Sequence, residues 1–110
     1  MDAFELTALE ARRAEGASPY LEFLRVPALS VGLYSLEPGA VDSQSPHTED
    51  EIYVVMTGRA RITVGSEVSD VGPGSVVYVA ATVPHRFHDI TERVEILVVF
   101  GPAEYSLARA

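Results

Sequence analysis

The stretch Gly39-Ala-Val-Asp-Ser-Gln-Ser45-Pro-His47-Thr-Glu-Asp-Glu51-Ile-Tyr-Val-Val-Met-Thr-Gly58 sets an imidazole and a carboxylate four residues apart, beside a run of β-branched and aromatic residues. Side chains alternate across a strand, so a strand running through both would point His47 and Glu51 to the same side. A second cluster, Val83-Pro84-His85-Arg86-Phe87-His88, follows. A strand carrying His85 closes a metal-centred pocket of two imidazoles and one carboxylate inside a small β-barrel. That donor set suits Fe(II), Mn(II), Ni(II), Co(II) or Zn(II) and leaves coordination positions open for substrate or oxygen. His88, three residues past His85, faces the other way in a regular strand and is read as an outer-face or rim residue.

Working outward, the chain is punctuated for β structure from Pro19 onward. Short runs rich in β-branched and aromatic residues predict strands at Tyr20 to Val26, Leu29 to Leu36, Ile52 to Thr57, Arg59 to Val64, Glu67 to Val71, Ser75 to Ala80, His85 to Ile90 and Val94 to Phe100. Strands this frequent indicate a sandwich or barrel. Gly65-Ser66 predicts a two-residue hairpin turn, and Gly72-Pro73-Gly74 a chain break. Ala60, Ile62 and Val64 alternate with Arg59, Arg61 and Thr63, the period of a half-buried sheet. Val94, Ile96, Val98 and Phe100 share one face, while Leu97 and Val99 share the other with Glu95, which suggests a second surface that meets another subunit. Ahead of the strands, Asp2 and Glu5 resemble a capping box on a short peripheral helix that ends before Gly16.

Gly39, His47, Glu51 and Gly58 resemble the first motif of the cupin superfamily, in which Gly is followed after five residues by His-x-His, after three more by Glu and after six more by Gly. Ser45 holds the place of the first histidine. Gly74 and His85 match the second motif, whereas Ala80, Thr82 and Asp89 stand where that motif has proline, glycine and asparagine. The spacer between Gly58 and Gly74 is 15 residues, similar to that of small single-domain, cupin 2-like (RmlC-like) barrels. The resemblance spans roughly Tyr20 to Phe100. It implies an all-β double-stranded β-helix, or jelly roll, with a short N-terminal helix: a helical segment at 1–18 and a barrel at 19–101, within one domain of 1–110.

The resemblance also implies one divalent metal ion on His47, Glu51 and His85. With serine at position 45, the centre is a three-ligand site, a site completed by Gln44 or water, or a metal-free barrel that keeps the motif for packing and turn geometry. Glu49 shares the strand parity of His47, but family register selects Glu51. Tyr34, Ser45, Tyr53 and Phe87 are the candidates to line the pocket. In function, the resemblance points to a metal-dependent oxygenase acting on a small organic molecule. The competing readings are a non-catalytic small-molecule-binding cupin, and an isomerase or cyclase in which Glu51 leaves the metal to act as catalytic base.

Composition sets independent limits. A chain of 110 residues supports one core, burying about two-thirds of the surface an unfolded chain exposes. Cysteine is absent, which excludes thiol nucleophiles, disulfides and iron-sulfur clusters. All eight basic residues are arginines, so lysine Schiff-base chemistry is excluded as well. A net charge of -8 repels phosphate backbones, so no nucleic-acid partner is expected. No basic start followed by an apolar stretch and no membrane-length apolar run is found, which predicts a cytoplasmic protein with no membrane association. A small-molecule ligand and a homodimer partner complete the expectations.

Overall fold

The computed structural model describes residues 1–43 and 46–108. One helix, α1 (Leu6–Glu15), precedes six strands: β1 (Tyr20–Val26), β2 (Leu29–Leu36), β3 (Asp50–Val64), β4 (Glu67–Val71), β5 (Val76–Val79) and β6 (His85–Gly101). All pairings are antiparallel, in the order β1-β2-β6-β3-β4, with β5 on the free flank of β3's first half. The predicted Gly65-Ser66 turn closes the β3/β4 hairpin, with Val64 opposite Glu67 and Gly65 at φ +60°.

Two pairs of expected strands are single long ones. The chain does not break at Gly58 or at Thr91–Arg93 but bends there. Register shifts in the β3/β6 ladder fall between Val55 and Arg61, around Gly58, and such irregularities sharpen local twist and turn a sheet on itself. Gly58 has φ +90°, and a Cβ there would sit 2.1 Å from the Arg93 carbonyl oxygen. Only glycine permits this crossing. Past its bend β3 leaves β5 to pair with β4, and β6 gains β2 only past its own bend, so each long strand serves both walls of the barrel.

The barrel interior is filled by alternate residues of these strands: Tyr53, Val55, Ala60 and Ile62 from β3 meet Phe87, Ile90, Val94, Ile96, Val98 and Phe100 from β6. Tyr53 and Phe87 pack edge to face at 4.9 Å across the interior, and truncating Phe87 to alanine would cost about 3–5 kcal/mol. On the outside, α1 lies on β1 and β2. Its buried Arg13 reaches Glu95 at 2.7 Å, and Arg93 grips the same carboxylate. Part of the second face of β6 is thus covered by the chain's own helix.

The helix begins later than the Asp2/Glu5 pairing predicts. Glu5 is the N-cap residue and its side chain makes no capping bond. Phe4 instead packs edge to face on Phe23 of β1 at 5.0 Å, and Glu5 is extended, so the helix starts at Leu6.

Candidate metal centre

Three consecutive acidic residues enter β3, and each turns to a different part of the fold. Glu49 accepts from the Thr48 hydroxyl and from the backbone N–H groups of Tyr105 and Leu107. Asp50 accepts from the Ala81 N–H at 2.9 Å, fixing the β5/β6 connection. Glu51 points inward and is 2 % exposed. Glu49, held as a weaker ligand candidate from sequence, is therefore a clamp on the C-terminal segment.

His47 and Glu51 do converge, but not by strand alternation. β3 begins at Asp50, and His47 lies in the loop before it. The loop is tied down by a 2.7 Å bond from the Thr82 N–H to the His47 carbonyl. His85, the first residue of β6, arrives from the facing wall. Nδ1 of His47 lies 3.7 Å from Glu51 Oε1, and Nε2 of His85 lies 3.1 Å from the same oxygen. One donor atom from each residue falls within 4.8 Å of the others, and all three residues are buried.

The hydrogen bonds of the two rings are complementary. His85 donates Nδ1–H to the Val83 carbonyl at 2.9 Å, which leaves the Nε2 lone pair facing Glu51. His47 places Nε2 2.8 Å from Glu104 Oε2, and a carboxylate can only accept, so Nδ1 is left as the free acceptor. Neither Glu51 oxygen, nor Nδ1 of His47, nor Nε2 of His85 has a hydrogen-bond partner among the described residues. A buried carboxylate without donors is costly, and beside two inward lone pairs it forms the environment that a divalent cation satisfies. The donor set fits the metal expected from sequence. Burial alone would depress the imidazolium of His85, but the hydrogen bond it can give Glu51 when protonated, the Val83 carbonyl and the charges of Glu51 and Asp42 outweigh it and hold its pKa above the ordinary value, so a metal ion would compete with a proton for Nε2.

A cavity of about 170 Å³ opens beside His47, lined by Tyr20, Tyr34, Val98, Phe100, Glu104 and Tyr105. Of the four pocket residues expected from sequence, Tyr34 lines it, donating its hydroxyl to Asp42 at 2.7 Å. Tyr53 and Phe87 do not. Both are fully buried in the barrel core, where the edge-to-face pair needs them. Ser45 lies outside the described residues. Glu51, expected as the catalytic base, does not line the cavity; Glu104 does. His88 is a rim residue, bonded to Asp89 and Thr63.

Sequence reasoning missed Tyr20, Asp42, Glu104 and Tyr105. The Tyr20 ring lies over Gly32, where a Cβ would come within 2.3 Å of it, and its buried hydroxyl has no hydrogen-bond partner among the described residues. Burial, followed by the carboxylates of Glu104, Glu22 and Glu51, pushes the Tyr20 phenol far above its usual pKa. Tyr105 is shifted the same way by burial, Glu104, Glu49 and Glu51. Glu104 brings a carboxylate to the cavity, and no arginine lines it among the described residues. Asp42 lies within the Gly39–Gly58 stretch but at a position the motif leaves open, and Tyr20, Glu104 and Tyr105 stand in no motif.

Fold and site together define a barrel with an inward His/Glu/His group, and the chain belongs to the cupin family: a model of the cupin domain matches residues 32–100. The barrel is the double-stranded β-helix of that superfamily. The chain is similar to the uncharacterized protein SCO3923 of Streptomyces coelicolor, 56% identical over 104 residues covering 94% of this chain and 99% of the relative. It is also similar to oxalate decarboxylase OxdC of Bacillus subtilis, 33% identical over 76 residues, which cover 64% of this chain but 20% of that enzyme. Among solved structures, TT1209 of Thermus thermophilus superposes with a TM-score of 0.77 at 23% identity, covering 94% of this chain and 99% of the other.

Proposed function

We propose that this chain is a metal-dependent cupin enzyme, an oxygenase acting on a small organic molecule held in the cavity beside His47. The observation that carries this reading is the buried Glu51 carboxylate, which has no hydrogen-bond partner among the described residues while a nitrogen of each of two imidazoles faces it. His47, Glu51 and His85 would hold one divalent ion with positions left open, and the ion would supply Lewis-acid or oxygen-activating chemistry. The chain's own residues do the rest. Val98 and Phe100 give the cavity an apolar wall, Tyr20 offers an acceptor on the ligand a hydroxyl that has no partner among the described residues, and Glu104 takes a donor. Similarity to an oxalate decarboxylase over one barrel's length supports an enzyme.

A non-catalytic binding cupin is the competing reading, supported by the small cavity and by the C-terminal segment folded across it. An isomerase or cyclase with Glu51 as base has weaker support, since that carboxylate would itself have to reach the ligand and it does not line the cavity. Metal analysis after reconstitution with Fe(II), Mn(II) or Zn(II), followed by oxygen-consumption screening, separates them. About one equivalent of metal with oxygen uptake supports the oxygenase; metal without uptake favours the binding or isomerase readings; a protein that takes up no metal sinks the metalloenzyme. The proposal includes a homodimer formed through the exposed apolar row Ile52, Val76 and Tyr78 on the outer face of β3 and β5.

A further inference from the structure

Past β6 the chain leaves the sheet and folds back over the mouth of the cavity. It is tied along its length: the Glu104 N–H to Ser30 Oγ at 2.9 Å, the Arg25 guanidinium to the Glu104 carbonyl at 2.6 Å, and the Tyr105 and Leu107 N–H groups to the Glu49 carboxylate. Ala103 is buried beneath it. Two side chains of this strap meet His47. Glu104 Oε2 lies 2.8 Å from Nε2, and the Tyr105 ring lies 5.3 Å away, inclined by 30°. Phe100 packs on the same imidazole at 4.6 Å.

A neutral imidazole has one donor and one acceptor nitrogen, and the partner of the first decides which is the second. We propose that Glu104 is a positioning residue for His47, fixing Nδ1 as its ligating nitrogen, so that docking of the C-terminal strap and metal binding are one linked equilibrium. This rests on the metal-centre reading of His47, Glu51 and His85. Glu104 is not itself placed as a ligand, since it lies outside the group of donor atoms that converge on Glu51. It acts through the ring. Outer partners of this kind typically change metal affinity by about 10- to 100-fold. Linkage is reciprocal, so the bound ion must strengthen strap docking by the same factor that the strap strengthens metal binding.

Cobalt(II) affinity, measured by chelator competition on the full chain, tests this beside ¹⁵N imidazole spectra of the metal-free protein. Glu104→Leu should bind cobalt about 10- to 100-fold more weakly, change the cobalt spectrum and lose the single Nε2–H tautomer of His47. Glu104→Gln, which keeps an acceptor oxygen, should recover most of both. Glu49 makes no hydrogen bond to a ligand residue, although its charge acts on His47, and Glu49→Gln loosens the strap; it should weaken cobalt binding, and cobalt should slow amide exchange at Tyr105 and Leu107 in the parent. A Glu104→Leu protein that folds with parental cobalt affinity and an unchanged His47 tautomer overturns the proposal. Should the parent bind no metal, the metal-centre reading fails on its own, and the tautomer measurement still decides whether Glu104 sets the ring.

Discussion

Glu49 and Glu51 stand two residues apart and are almost equally buried, yet Glu49 accepts from a hydroxyl and two backbone N–H groups while Glu51 accepts from none among the described residues. Burial alone would raise the Glu49 carboxyl, but Thr48, Leu107, Tyr105 and His47 hold its pKa below the usual range. One carboxylate is structural; the other belongs to a His/Glu/His group that could hold a metal ion.

Opposite responses to the same substitution should follow. Metal-free Glu51→Gln is expected to be at least as stable as the parent above the range where imidazoles titrate, because it removes a buried charge without donors. Glu49→Gln should lose about 1–3 kcal/mol by weakening bonds to buried N–H groups. Urea midpoints with and without metal check both; added metal should stabilise the parent and not Glu51→Gln.

Thr82 has φ +67°, a left-handed conformation that is strained for a β-branched residue. It occupies the place where the cupin motif has glycine. Thr82→Gly keeps the N–H that ties the His47 carbonyl and should raise stability by about 1 kcal/mol, read from thermal unfolding. An unchanged or lower midpoint would show that the local strain is absent.

Tyr20 and Gly32 are one unit, since the ring occupies the space a Cβ would need. Gly32→Ala should displace the ring and cost about 1–3 kcal/mol. Tyr20→Phe should keep the parent's stability and lose affinity only for ligands that accept a hydrogen bond. Denaturation curves beside tyrosine-fluorescence titration with matched ligand pairs distinguish these outcomes.

Stability should fall on the alkaline side. Tyr34 is raised above the ordinary 10.0 by burial and by Asp42, and Tyr20 by burial and nearby carboxylates. A group whose folded pKa lies above its unfolded value contributes stability that is fully present below the unfolded pKa and is lost as pH rises beyond it. Urea midpoints should therefore decline from about pH 10 upward, with Tyr34→Phe declining less. Phenolate absorbance of the two rings should appear only with unfolding.

On the outer face, Val76 and Tyr78 are 66% and 59% exposed beside Ile52, more apolar surface than isolated residues explain. Tyr78→Arg should shift the light-scattering mass from dimer to monomer without altering metal content. A parent already monomeric would end the homodimer reading.

Some of this chemistry was legible along the chain and some was not, for physical reasons. Alternation and turn residues are local, so the Gly65-Ser66 hairpin, the inward row from Val94 to Phe100 and the β-barrel class could be read directly, and motif spacing singled out His47, Glu51 and His85. Whether Gly58 ends a strand or bends one is not local: the close approach of Arg93 decides it. Three adjacent acidic residues look alike in sequence, and only the segments packed against them separate clamp, loop anchor and inward carboxylate. Glu104 and Tyr105 reach His47 from far along the chain, and Tyr20 reaches the same cavity from the first strand. Sequence by itself determined the barrel and its three inward donors; the tertiary structure decided which nitrogen of His47 is free, what lines the cavity and what closes it, because those depend on contacts between residues that spacing does not relate.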